Sequence, residues 1–278
     1  MVTRRHQRGV ALIFVLWLLV LLGVIVAEVA SKARAEAALL GSLRSRTVAR
    51  YAAESGILAA TVRIEGLLDS TRNPPERAAM FRGLGARLAS LTDVELADAR
   101  FGVAAVDLNA RIDLNRADLA TLRGLFGQFT SEARADTVVA ALKAAPIHRL
   151  AELSRVAGID DSLALAVAPY VTVWSDGLVN LNSAPAPVLA ALPGFGAAAQ
   201  SIVARREAGE VFATIDLVRQ PLLAAVGAPV LLVSTAPSRL MLVSRGWQEG
   251  RPLTHEIQAV FAIVGQRLVL QSSSERDL

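Results

Sequence analysis

The chain opens on an apolar run. From Val10 to Ala27 there are 18 consecutive residues without a charge, VALIFVLWLLVLLGVIVA, which at about 1.5 Å of rise per helical residue nearly span a hydrocarbon core of roughly 30 Å. The run reads as a membrane segment. No other stretch matches it, since the apolar Leu222 to Leu232 is interrupted by Gly227 and Pro229. Past Ala27 the pattern becomes periodic, with no proline up to Ile64 and abundant alanine, leucine, arginine and glutamate, all good helix formers. Leu40, Leu43, Thr47, Tyr51, Ser55, Leu58 and Val62 recur at spacings of three and four, a stripe along one helix face. One helix is predicted from about Val10 to Ile64, on the order of 80 Å long.

Asp69 to Pro75 (DSTRNPP) ends that helix, because adjacent prolines and Asn-Pro are strong breakers. Glu76 to Ser90 reads as a further short helix, and Phe101 to Val106, Ile112 and Leu114 have strand character. Ala117 to Phe126, Ser131 to Ala144 and Leu150 to Val156 read as helices closed by glycine or proline. At the far end, Val230 to Ser234, Leu240 to Arg245, Glu256 to Val264 and Leu268 to Gln271 read as strands between turn signals. This order predicts an α+β fold with an antiparallel sheet and an all-helical insertion. The expected divisions are a leader at 1–9, the helix at 10–64 with its membrane part at 10–27, a first part of the body at 65–112, the insertion at 113–228 and closing strands at 229–278.

One segment repeats. Ile112-Asp113-Leu114-Asn115-Arg116-Ala117 recurs 67 residues later as Val179-Asn180-Leu181-Asn182-Ser183-Ala184. In each copy an extended stretch ends at an asparagine placed to cap the next helix, with Asp118 three residues past Asn115 as in a capping box. The second copy leads into Leu192-Pro193-Gly194-Phe195-Gly196 and then Arg205-Arg206, a helix-hairpin-helix pattern whose turn needs glycine. Gly194, Gly196, Arg205 and Arg206 are thus candidates for contact with a DNA backbone. The competing reading is a compact packing unit.

Charge favours that second reading. Of the net +4, Arg4, Arg5 and Arg8 against Glu28 supply two, so the rest of the chain carries only +2, too little for a nucleic-acid surface. The composition is 53% hydrophobic and 19% charged with mean hydropathy +0.45, consistent with part of the chain lying in a membrane. The absence of cysteine removes disulfides, thiolate nucleophiles and cysteine-ligated zinc. His6 lies before the apolar run, and His148 and His255 stand apart in sequence from any cluster of ligands. No Gly-x-Ser-x-Gly elbow, Walker loop or HExxH occurs, so no catalytic site is expected. Asp160, Asp161 and Asp176 could offer oxygens to calcium but lack EF-hand spacing. No cofactor is expected, and the body is expected to fold without calcium.

Arg4, Arg5 and Arg8 before the apolar run place the amino terminus in the cytoplasm and the body on the far side of the membrane. Three readings of the segment compete. Ala33-Arg34-Ala35 could serve an ordinary signal peptidase, and an uncleaved anchor is a second reading. The third rests on Arg8-Gly9-Val10, a basic leader ending in glycine directly before the apolar run. It resembles the class III leader of type IV prepilins and pseudopilins, and the unbroken helical continuation supports it.

The leader at Gly9-Val10, the long helix, the paired Asp-Leu-Asn and Asn-Leu-Asn-Ser-Ala-Pro segments, Pro169-Tyr170-Val171-Thr172-Val173 between them and the terminal strands together resemble the K-type minor pseudopilin of bacterial type II secretion systems. The resemblance implies a pilin-like domain with a helical insertion, whose long helix lays its first half in a filament and its second half against its own body. It implies a place at the tip of a short periplasmic pseudopilus with I-type and J-type minor pseudopilins. The further partners implied are the major pseudopilin, prepilin peptidase and the inner-membrane secretion platform, with no nucleic acid. Cleavage between Gly9 and Val10 with N-methylation of Val10 follows by the same resemblance. Members of the type can carry calcium in an acidic loop, but Leu142-Lys143-Ala144-Ala145-Pro146 holds no carboxylate. Most pseudopilins have glutamate at the fifth mature position, where this chain has Phe14, which fits a topmost subunit with no neighbour above it. The alternative is a membrane-anchored helix-hairpin-helix protein of a DNA-uptake system.

Overall fold

The computed structural model describes residues 7–196, 198–215 and 232–278. Helix α1 (Gln7–Asp69) runs as one piece. It continues past Ile64 because Ile64 and Leu68, one turn apart, are both fully buried in the body. Its first half projects alone, with Leu12 through Val29 exposed. After α1, Asn73 caps α2 (Pro74–Arg82) by accepting from the Glu76 N–H, and Glu76 reaches back to the Arg72 N–H at 2.7 Å. The helix predicted over Glu76–Ser90 is three pieces instead: α2, the single turn α3 (Leu84–Arg87) and a 3₁₀ turn at Ala89–Leu91. Gly83 separates the first two, and Leu84 and Leu88 turn inward to the core.

The main sheet orders β1 (Val94–Leu96), β2 (Ala99–Asp107), β7 (Arg239–Gln248), β8 (Thr254–Val264) and β9 (Arg267–Asp277), all antiparallel. The chain leaves this sheet after Asp107 and returns at Arg239. Between them lie α4 (Leu119–Phe126), α5 (Glu132–Ala144), α6 (Asp161–Val167), α7 (Ala186–Ala191) and α8 (Ala199–Glu207). The segment predicted as helix at Leu150–Val156 is a 3₁₀ stretch, Leu150–Arg155. The insertion is not all helical. Two parallel bridges brace it, β3 (Ile112–Asp113) with β4 (Val171–Thr172) and β5 (Val179–Asn180) with β6 (Val233–Ser234). Of the strand expected at 230–234, residues 230 and 231 lie outside the described residues. Two apolar cores result, one inside the insertion around Leu122, Phe126 and Leu189, the other between α1 and the sheet around Ile64, Phe101 and Leu242. Within the insertion α4 crosses α7 so closely that a Cβ on Gly124 would stand 2.7 Å from the Ala191 carbonyl oxygen.

The face that α1 presents to the sheet is not the stripe of large side chains. Leu40, Leu43, Tyr51, Leu58 and Val62 are all at least 50% exposed. The buried face is Ser45, Ala49, Ala52, Ala53, Gly56 and Ala60, followed by Ile64 and Leu68. The reason is distance. A Cβ on Gly246 of β7 would lie 2.2 Å from the Ala49 carbonyl oxygen and 2.4 Å from the Ala53 nitrogen, and one on Gly56 would lie 2.3 Å from Ser244 Oγ. The helix backbone rests almost on the strand, and only small side chains fit between. Ion pairs then fix the helix along the sheet edge: Arg50 with Glu275 at 2.8 Å and Arg267 with Glu65 at 2.9 Å, both hydrogen-bonded, and Arg46 with Asp277 at 2.9 Å. His255, isolated in sequence, is brought by the β8–β9 register against Asp277 at 2.7 Å and Glu275 at 3.3 Å.

Replacing Gly246 with valine is expected to lower unfolding stability by about 2 kcal/mol or more, since neither neighbouring backbone can yield. Leu58→Ser, on the exposed stripe, is expected to change it by less than about 0.5 kcal/mol. Urea titration of the detergent-solubilised chain checks both, and similar losses would mean that close approach does not set the docking.

Candidate assembly site

Gly9 and Val10 lie in the first turns of α1. Phe14 is 70% exposed on the projecting half, touching nothing that its own body supplies. Helix Leu12–Asp69 contains a window of mean hydropathy 2.9 with no residue buried, long and apolar enough to cross a membrane. Two apolar surfaces are therefore uncovered on one helix, the projecting half and the stripe from Leu40 to Val62 above it.

The repeated segments build the same device twice. In the first copy the Leu114 N–H donates to the Thr172 carbonyl at 2.9 Å, the Asn115 N–H to Asp113 Oδ1 at 3.0 Å and the Ala117 N–H to the Asp113 carbonyl at 2.9 Å. In the second, Leu181 donates to Ser234 at 2.9 Å, Asn182 to Asn180 Oδ1 at 3.0 Å and Ala184 to the Asn180 carbonyl at 2.9 Å. Asn115 and Asn182 do not cap the following helices, as the sequence suggested. Asp118 caps α4 and Pro185 stands at the cap of α7. Each asparagine instead pairs its amide with the backbone of the returning chain. Asn115 accepts from the Ile147 N–H at 3.1 Å and donates to its carbonyl at 2.8 Å, and Asn182 does the same to Phe212 at 2.9 and 2.8 Å. A side-chain amide carries one donor end and one acceptor end, so it substitutes for a strand neighbour at that point.

A polar seam joins these loops to the sheet. Asp107, at the end of β2, accepts from Asn180 Nδ2 and the Asn109 N–H, each at 2.7 Å, and from the Ser183 hydroxyl. Its burial pushes the carboxyl pKa up, and the three hydrogen bonds oppose that shift. Asn109 is fully buried and bonds Asp176 at 2.7 Å on one side, while its oxygen accepts from the Ser238 and Arg239 N–H groups at 2.9 and 3.0 Å on the other. Asp176, weighed from the sequence as a calcium ligand, is thus held inside this network and also accepts from Ser238 Oγ at 2.6 Å. Asp160 caps α6 and pairs with Arg134. Among the described residues no group of three or more histidines or carboxylates could hold a metal ion. Asn109 and Asp107 carry no signal in the sequence because, apart from the bond between the two, their side-chain partners lie 67 to 130 positions away.

The residues weighed for DNA contact are engaged within the fold. Gly194 takes φ +83° in the α7–α8 turn, which asks for glycine, and Gly196 lies two residues on in the same turn. Arg205 forms an ion pair with Glu210 and stacks over Phe212 at 5.0 Å. Arg206 donates to the Leu181 and Ala184 carbonyls at 3.1 and 2.8 Å, and burial lowers its pKa. The hairpin is a packing unit whose arginines are spent on its own backbone and on Glu210.

A projecting apolar helix laid on an antiparallel sheet, with an insertion between the second and third strands of the sheet order, defines a pilin-like fold whose first helix is long and apolar enough to cross a membrane. Residues 179–235 match the family model described as Type II secretion system (T2SS), protein K. That span starts at the first residue of β5 and ends just after β6, so it is the second copy of the repeated unit. The fold is also that of a chain in "The Crystal Structure of the GspK-GspI-GspJ complex from enterotoxigenic Escherichia coli Type 2 Secretion System", with a TM-score of 0.59 and 13% identity over 84% of this chain and 98% of that one. No curated protein matches the sequence. Both comparisons agree with the K-type resemblance drawn from the sequence, and neither supports DNA binding.

Asn182→Ala is expected to destabilise by about 2 to 3 kcal/mol, because it leaves the buried Phe212 N–H and two carbonyls without their partner. Asn115→Ala, which opens one such pairing, is expected to cost roughly 1 to 2 kcal/mol. Denaturation monitored by tryptophan fluorescence measures both, and unchanged stability would remove the staple role.

Proposed function

We propose that this chain is a K-type minor pseudopilin, a non-enzymatic subunit at the tip of the type II secretion pseudopilus that helps to start its assembly and the export of folded proteins across the outer membrane. The observation that carries the reading is the family match falling on the repeated asparagine unit, within a fold shared over most of the chain. The similar crystal structure is a complex with GspI and GspJ, which supports I-type and J-type minor pseudopilins as neighbours. The exposed Leu40–Val62 stripe supplies an apolar helix face for such a neighbour. The basic residues before α1 support an inner-membrane anchor with the body in the periplasm. The reading invokes no cofactor and no nucleic acid; its remaining partners are the major pseudopilin, prepilin peptidase and the inner-membrane platform.

Two sites belong to this proposal. Cleavage between Gly9 and Val10 leaves the apolar helix in the mature protein, which then begins with N-methylated Val10. Mass spectrometry of the native amino terminus is expected to find that start; Glu36 would indicate ordinary signal cleavage and Met1 an unprocessed anchor.

Phe14 is the fifth residue counted from Val10. A carboxylate there would lie unpaired in lipid if no subunit stood above, and phenylalanine avoids that cost. About one copy per filament, at one end, is the expected result of immunogold labelling and quantitative mass spectrometry of sheared pseudopili, with Phe14→Leu leaving secretion nearly intact. Labelling along the shaft at the stoichiometry of the major subunit would overturn the tip position. Co-purification of I-type and J-type pseudopilins with the full chain in detergent tests the family assignment itself.

A further inference from the structure

On the side of the sheet away from α1, a cleft of about 670 Å³ lies between the strands and the insertion. Its sheet wall ends in Ser272 to Ser274 and Arg276 of β9, and its opposite wall carries Arg111, Arg149 and Trp174. Past Trp174, which is 40% exposed, a second hollow of about 250 Å³ continues between Arg116 and Arg239.

Three of these arginines have no hydrogen-bonded or ion-paired side-chain partner among the described residues, though each feels one carboxylate through space: Arg111 that of Asp107, Arg116 that of Asp113 and Arg149 that of Glu152. Arg111 is withdrawn from water far enough for burial to lower its pKa. Of the three only Arg111 is half-buried, so a missing acceptor is costly for its guanidinium, whereas Arg116 and Arg149 are exposed. The nearby carboxylates are committed elsewhere: Asp107 and Asp113 to the polar seam and the first repeat, Glu152 to the His148 N–H, and Glu256 to Arg245, Gln258 and Arg276. The cleft is thus a cationic surface inside a body whose charges otherwise nearly balance.

The second observation is a backbone one. β9 is the last strand of its sheet, with no further strand paired to it among the described residues. An open edge is a template for another strand unless charged side chains or a bulge blunt it. Glu275, Arg276 and Asp277 guard one end, and a register shift at Val260/Phe261 marks the other. Between them Ser272, Ser273 and Ser274 are small and uncharged, and they line the arginine cleft.

We propose that this cleft is a docking groove for an extended acidic segment of a protein partner, which adds as a strand to the Ser272–Ser274 edge and sets its carboxylates among Arg111, Arg149 and Arg116. Carboxylates match planar guanidinium donors in pairs, and strand addition supplies the backbone bonds that side chains alone would not. A bilayer is the poorer fit for this charge. The end of β9 sits beside Arg50, which lies 23 residues beyond Ala27, or about 35 Å along the helix. The inference stands without the K-type reading.

The test uses the full chain in neutral detergent and a fluorescein-labelled decapeptide alternating glutamate with threonine, read by fluorescence polarisation. Binding is expected to weaken by roughly tenfold when the glutamates become glutamine, and by roughly three- to tenfold in Arg149→Gln and Arg111→Gln. Arg44→Gln and Arg63→Gln, exposed arginines on α1, are expected to leave it unchanged. N-methylation of alternate peptide residues is expected to abolish strand addition and most of the affinity. Arg149 is itself exposed, so its variant reports even if Arg111→Gln folds poorly. Equal binding of the glutamine peptide, equal losses in the α1 variants, or full affinity of the N-methylated peptide would overturn the proposal. So would displacement of the peptide by phosphatidylglycerol vesicles, which would make the cleft a headgroup site.

Discussion

The near-contact between the α1 backbone and β7 is the constraint on which the arrangement depends. With Gly246 under Ala49 and Ala53, and Gly56 over Ser244, the helix and sheet meet at a distance no ordinary pair of side chains allows. The gain is dense packing of small groups together with a fixed height and rotation of the helix. The consequence is that α1's larger side chains cannot also be turned inward. They form the uncovered stripe, and the same rigid helix continues into the apolar half that projects beyond the body. Sheet docking and an uncovered outward face are thus two results of one choice of residue size.

The insertion is held by polar geometry. Its own core is apolar, but its attachment to the sheet runs through Asp107, Asn109, Asp176 and Ser238. Hydrogen bonds of this kind are directional and satisfied only in one arrangement, so they fix orientation where an apolar contact would permit sliding. The two parallel bridges extend that logic into the insertion, where each asparagine closes its unit without adding a strand.

Much of this was legible because it is local. An 18-residue uncharged run, the Asn-Pro-Pro break and the alternating terminal strands each declare themselves within a short window. The repeated segment was equally plain, and the structure gives both copies one geometry. What misled was bulk: leucine, tyrosine and valine at helical spacing look like a core face, whereas the sheet required alanine and glycine. The asparagines misled for a related reason. A cap is the commonest local use of asparagine, and their actual partners, Ile147 and Phe212, lie about thirty residues on. His255 acquires its carboxylates only through strand register. The polar seam, built almost wholly across long separations, left no signal in any window.

The crossing of α4 over α7 carries a consequence of a different kind. Gly124 and Ala191 are themselves 67 residues apart, the interval that separates the two asparagine segments, so each is the other's counterpart. The duplicated halves touch at corresponding points, much as two identical subunits meet on a dyad. The closeness is to the Ala191 backbone, whose carbonyl oxygen, Cα and carbonyl carbon would stand 2.7, 3.1 and 3.3 Å from a Cβ on Gly124. The demand for a bare backbone thus falls on the first half alone, whatever side chain the second half carries there, and the pairing of the two copies is unequal at this point.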